Sequence, residues 1–111
     1  VVHDLTKGPV VTSVDLVHCQ EVVEHIEEKY LDNLLSSLLC GKFIVMTHAL
    51  PGQDGYHHVN CQPPEYWIEH LQMRRCSLLE ADSMRVRSLA EKDGALYLAA
   101  TCMVFSNNER I

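Results

Sequence analysis

Residues 14–26 read V-D-L-V-H-C-Q-E-V-V-E-H-I. Val14, Leu16 and Val17 form a short apolar run suited to a buried strand. After Gln20 the pattern changes, and Val22, Val23 and Ile26 recur at helical spacing. A buried strand that breaks directly into a helix leaves its turn at the carboxyl edge of a sheet, where ligands bind in open α/β folds. The same spacing sets Glu21, Glu24 and His25 at i, i+3 and i+4, on one face of the expected helix. These groups suit metal ligation or acid/base work, and a solvated acidic helix start is the alternative.

The flanking sequence extends an alternation of strands and helices. Upstream, Val1-Val2-His3-Asp4-Leu5 reads as the end of a strand, broken by Lys7-Gly8-Pro9. Downstream, the helix runs from Glu21 to about Cys40, with a break near Glu27-Glu28, and Leu31, Leu34, Leu35, Leu38 and Leu39 hold apolar helical spacing. Gly41 is a natural stop. Lys42 to Thr47 is an apolar, β-branched strand. The loop from His48 to Gln62 carries Pro51, Gly52, Gly55 and three histidines, and its length marks it as functional. Pro63-Pro64-Glu65 starts a helix that reaches about Met73. A helical or irregular stretch covers Ala81 to Lys92, and Leu96 to Phe105 reads as the last strand. Apolar strands alternating with helices predict a mostly parallel sheet with helices packed on it.

The 111 residues and 47% hydrophobic content fit one globular domain. A net charge of −6 argues against non-specific nucleic-acid binding, which depends on neutralising phosphates. No apolar run approaches the roughly 18 residues of a membrane span, and no signal-peptide pattern opens the chain. The five cysteines form no C-x-x-C pair, so separate thiols in a reducing cytoplasm are expected rather than a disulfide framework.

Three segments in order, D-L-V-H-C-Q-E-V-V-E-H-I, K-F-I-V-M-T-H-A-L-P-G-Q and H-V-N-C-Q-P-P-E-Y-W-I, closely resemble the back half of class I S-adenosylmethionine-dependent methyltransferases. The resemblance implies a partial Rossmann-like sheet, mostly parallel with an antiparallel C-terminal strand. Val14–Ile26 then corresponds to the fourth strand and its following helix, Lys42–Thr47 to the fifth strand, and Leu96–Phe105 to the seventh. The family's Gly-rich cofactor loop and its acidic ribose-binding residue have no counterpart here. With Val1 in place of Met, the chain reads as the C-terminal portion of such a domain, beginning about halfway through it. A missing N-terminal half or a homo-oligomer is then needed to cover an exposed sheet edge.

The resemblance also distributes roles. Asp4 and Leu5 correspond to the strand end that contacts adenine, although a turn aspartate before Thr6-Lys7-Gly8 fits the local sequence equally. His18, Cys19, Gln20 and Glu21 form the turn beside the sulfonium and its methyl group. Glu21, Glu24 and His25, completed by His58 with His57 second, match the Glu-x-x-Glu-His face with which some relatives hold a divalent metal. Carboxylates with imidazoles suit Mg²⁺, Mn²⁺ or Zn²⁺. His48, after the fifth strand, and His58 are the candidate catalytic groups, His48 as a general base or as a loop histidine bonded to backbone carbonyls. The implied function is methyl transfer from S-adenosylmethionine to the oxygen of a small-molecule or glycan-type acceptor. A non-catalytic oligomerisation or partner-binding module and a small metal-binding protein are the rival readings. Tyr66-Trp67 and the methionines Met46, Met73, Met84 and Met103 read as core filling. Arg74-Arg75 and Arg85-x-Arg87 read as solvated surface.

Overall fold

A computed structural model describes residues 2–110, so Val1 lies outside the described residues. Four strands, β1 (Val14–Cys19), β2 (Gly41–Met46), β3 (Cys76–Leu78) and β4 (Met103–Asn107), form one sheet in the order β1-β2-β4-β3. Helices α1 (Leu31–Leu38), α2 (Pro64–Met73), α3 (Glu80–Asp93) and α4 (Leu96–Thr101) connect them. The β1–β2 pair is parallel, whereas β4 runs antiparallel to both β2 and β3. The expected antiparallel final strand is present, but the sheet is not mostly parallel in its pairings. β1, β2 and β3 all point the same way; β4 enters between β2 and β3 and turns both of its own pairings antiparallel.

Side-chain pattern explains the helices. Leu31, Leu34, Leu35 and Leu38 recur along one stripe of α1 and are buried. Proline opens α2, whose Trp67 and Leu71 are fully buried one turn apart. Both helices close over Ile44, Met46, Met103 and Phe105 in a single core. Ser83 fastens α3 to β4, accepting from the Val104 N–H at 2.9 Å and donating to the Leu79 carbonyl at 2.8 Å. Gly41 starts β2 rather than merely ending a helix. A Cβ there would lie 2.7 Å from the Phe43 carbonyl oxygen and 2.9 Å from Val17 Cγ2, so the strands approach too closely for a side chain.

Several expected elements take another form. Residues 2–13 contain no strand; Asp4 caps a short 3-10 turn (Leu5–Lys7), and the His3 Nε2 faces the Gly8 carbonyl at 2.8 Å. The long helix from Glu21 is replaced by two 3-10 turns, Val23–His25 and Glu28–Tyr30, and regular α-helix begins only at Leu31. Leu96–Thr101 is helical, and extended backbone starts at Met103, where pairing to Met46 becomes available. β1 is an edge strand rather than a buried one: Val14 is 39% and Leu16 55% exposed. Leu16 pairs with Phe43, also part-exposed, on the face away from α1. Met46 and Met103 fill the core, but Met73 and Met84 are exposed.

Candidate functional site

The carboxyl ends of β1 and β2 lie side by side, and Thr47 ties them together. The Thr47 N–H donates to the Cys19 carbonyl at 3.0 Å, extending the ladder by one bond. Its hydroxyl accepts from the Glu21 N–H at 2.9 Å and donates to Glu21 Oε1 at 3.2 Å. Glu21 adopts a left-handed backbone conformation, φ 58°, which no helix accommodates. The expected single helical face for Glu21, Glu24 and His25 is therefore absent. Glu21 turns toward Thr47, while Glu24 turns inward.

Glu24 is fully buried, and neither carboxylate oxygen has a hydrogen-bond partner. Its backbone carbonyl accepts from the Val59 and Asn60 N–H groups at 2.9 and 3.1 Å, which draws the His-rich loop over it. His25 Nε2 lies 3.7 Å from Glu24 Oε2, its Nδ1 faces the His57 carbonyl at 3.1 Å, and its ring meets His58 edge-on at 4.8 Å. Burial, and then the neighbouring Glu21 carboxylate, push the Glu24 carboxyl above its ordinary value. Glu24, His25 and His58 are thus gathered as the sequence suggested, without Glu21 turned toward them. Among the described residues no group of three or more His, Cys, Asp or Glu side chains is arranged to hold a metal ion.

Two hollows flank the β1 turn. One, of about 320 Å³, is lined by Glu21, His48, Gln53, Asp54, His58 and Thr101, among others. His48 is 2% exposed; its backbone N–H donates to Thr101 Oγ1 at 3.2 Å, and its Nε2 has no partner. Burial holds the His48 imidazole below its ordinary range, with nearby carbonyls of Ala49 and Gln62 opposing that shift. His58 is seated by its own loop: its Nδ1 faces the Gln53 carbonyl at 3.2 Å, and a Cβ at Gly55 would come within 2.5 Å of its ring. Only glycine at position 55 leaves the imidazole that seat.

The second hollow, of about 370 Å³, is more apolar and runs along β1 between Leu5, Val17 and Leu34, from His18, Cys19 and Val22 at the carboxyl end to Thr12 and Cys40 at the amino end. Of the residues expected to meet cofactor, Leu5, His18 and Cys19 line it, while Glu21 lines its neighbour. Asp4 and Gln20 line neither hollow. Asp4 Oδ1 instead accepts from the Thr6 hydroxyl and N–H, which hold its carboxyl below the ordinary value. Sequence reasoning missed Thr47 as the clip and Tyr97 and Thr101 as wall residues. The last two were hidden by reading α4 as a strand.

Cys19 is closed as a nucleophile. Burial first, and Glu24 second, push its thiol up to about 12, so it stays neutral at physiological pH. All five cysteines are free, and only Cys61 escapes full burial. Iodoacetamide at pH 8 is expected to label Cys61 first, with Cys19, Cys40, Cys76 and Cys102 labelled only after denaturation. Peptide mass spectrometry reads the order, and labelling of Cys19 at the rate of Cys61 contradicts the geometry.

Among the described residues no helix is long and apolar enough to cross a membrane. No protein-family model, curated protein or solved structure matches the chain.

Proposed function

We propose that this chain supplies the carboxyl-edge portion of a class I S-adenosylmethionine-dependent methyltransferase site acting on a small-molecule acceptor, at oxygen. One observation carries the reading: two hollows of different polarity meet the turn after β1, one at the carboxyl ends of the parallel β1–β2 pair and one running from that turn along the open side of β1 to Thr12 and Cys40. The carboxyl edge is where open α/β sheets bind ligands. The antiparallel β4 beside β2 agrees with the resemblance noted from the sequence. The apolar hollow suits a flat aromatic base and its thioether chain, and the His48 cleft suits the acceptor. Five unpaired thiols support a reducing, cytoplasmic setting.

The cofactor supplies a methyl group activated on a positively charged sulfur. The chain's own part is to position and deprotonate. Leu5 and Val22 offer apolar walls to the base. Holding the acceptor oxygen in line with the methyl supplies much of the rate. His48, held neutral by burial on the wall of the cleft, is the group that takes the acceptor's proton, and the Glu21 carboxylate favours the imidazolium that results. Glu24, His25 and His58 lie together as one carboxylate and two imidazoles, a donor set short of the oxygen ligands Mg²⁺ prefers and not arranged to hold a metal ion.

The open β1 edge favours a companion reading, in which further strands or a second copy of the chain extend the sheet beyond Val14–Cys19. Titration of S-adenosylhomocysteine into ¹⁵N-labelled protein tests both. Weak binding, with Kd near roughly 1 mM, is expected, with shifts confined to Leu5, His18, Cys19 and Val22. Absence of shifts at millimolar ligand overturns the methyltransferase reading. Micromolar binding by these residues alone removes the need for anything along the β1 edge.

A further inference from the structure

Helix α3 carries a stripe of side chains that the site at the β1 turn does not use. Glu80, Ser83, Met84 and Arg87 stand at i, i+3, i+4 and i+7, on one helix face over two turns. All four line a largely apolar hollow of about 370 Å³, whose other walls are Pro64 and Ile68 of α2 with Leu78 and Met103 of the sheet. Ser83 is taken up by Val104 and Leu79. Met84, at the middle of the stripe, is 59% exposed, an apolar side chain left in water beside an apolar hollow. The two ends of the stripe carry opposite charge, and neither is matched within the chain. Among the described residues Glu80 pairs with no cation and Arg87 with no carboxylate, whereas Asp82 and Arg85 between them pair with each other. The Arg87 Nε donates to the Cys102 carbonyl at 2.7 Å, which holds the side chain at its end of the stripe.

A stripe with a negative end, an apolar middle and a positive end is its own complement when reversed. We propose that α3 is a self-association face, on which a second copy of this chain docks antiparallel through Glu80, Met84 and Arg87. With the two-fold axis passing between Ser83 and Met84, each Glu80 faces the partner's Arg87. Both pairs span the same two helical turns, about 10.5 Å along each axis, so they close together. The partner's Met84 enters the hollow between α2 and α3, a role suited to a flexible thioether that fills irregular gaps. The contact is isologous, with an apolar centre and charged ends. One hollow and one ion pair at each end make a small interface, so a reversible dimer with Kd on the order of 0.1 mM is expected. This face lies on α3, apart from the β1 edge, and needs no cofactor.

Sedimentation velocity of the whole chain, from about 10 µM to 1 mM, tests it. Glu80→Arg sets arginine against the partner's Arg87 twice in each dimer and should weaken association at least about tenfold. Arg87→Glu should do the same with two acids. An equimolar mixture of the two variants should associate again, because an all-positive stripe then meets an all-negative one. Arg87→Glu also removes the bond to the Cys102 carbonyl, so circular dichroism checks its fold. Met84→Lys, at an exposed position, should give the same loss without touching that bond. Leu16→Lys, on the open β1 edge, should leave the dimer unchanged. A chain that stays monomeric throughout leaves the hollow to some other occupant and overturns the proposal. A dimer that survives both Glu80→Arg and Met84→Lys, or one that Leu16→Lys abolishes, overturns it too. So does a mixture of folded charge variants that associates no better than either alone.

Discussion

Glu24→Gln is expected to abolish a loss of stability that the unmodified protein suffers as pH rises above the ordinary carboxyl range. In the unfolded chain Glu24 titrates near its ordinary value of 4.5, whereas in the fold burial and Glu21 raise it. Between those values the folded state holds the extra proton, so stability falls as pH climbs through the window and is flat beyond it. An uncompensated buried charge costs on the order of 3–5 kcal/mol. His25 Nε2 lies 3.7 Å from the Glu24 carboxylate, on a side chain 35% exposed. A drop no larger than that cost is therefore expected. His48 acts in the opposite sense: its folded value lies below the ordinary 6.5, so it contributes stability above that pH which is lost on acidification. The two effects oppose each other below pH 6.5, and Glu24→Gln should leave only the rise that His48 contributes. Urea unfolding followed by circular dichroism from pH 4.5 to 8 decides the matter. Parallel profiles for the two proteins would show that Glu24 is not the buried acid described above.

Trp67→Ala should cost about 3–5 kcal/mol, a large share of what a domain of this size possesses. Trp67 is fully buried on α2, with Tyr66 edge-on at 4.9 Å, in the core that joins both helices to the sheet. Its indole N–H, however, has no acceptor. Trp67→Phe removes that unsatisfied donor along with part of the ring, so its loss should be less than half that of the alanine variant. The chain has one tryptophan, so unfolding must be followed by circular dichroism rather than by its fluorescence. A cost below about 2 kcal/mol for Trp67→Ala would place Trp67 outside the core.

The strands at residues 14–19 and 41–46 and the helix from Pro64 to Met73 were legible because their patterns are local: β-branched apolar runs for the first two, proline at the start for the third. The segment after Gln20 was not, although its apolar spacing is helical. The Glu24 carbonyl, which a helix would need, is taken by Val59 and Asn60, more than thirty residues away. Val22 and Val23 are also poor helix formers, so propensity offered little resistance. Leu96–Thr101 failed for a different reason. Short apolar runs read equally as strand or helix, and the bonds from the Ala99 N–H to the Ala95 carbonyl and from the Cys102 N–H to the Leu98 carbonyl, with β4 pairing that begins at Met103, separate them. For the candidate site, the sequence put Glu21 in the turn after β1 and His48 and His58 in the loop after β2, and the three line one hollow. The Thr47 clip and the Thr101 contact were invisible because each depends on the order in which strands meet.

That order also bears on how the chain is made. β2 and β3 never touch; each waits for β4 to slide between them. Asn107 then locks the seam, its side-chain amide donating to the Leu39 and Gly41 carbonyls at 2.9 and 3.1 Å, the latter 66 residues away in sequence. At a ribosomal rate of about 5–20 residues per second, β2 emerges with one flank vacant for roughly 3–13 s before its partner exists. Throughout that interval the nascent β1-α1-β2 unit presents bare backbone donors and acceptors on both outer flanks. Chaperone capture of this chain should therefore peak after β2 has left the exit tunnel and end abruptly when β4 follows it.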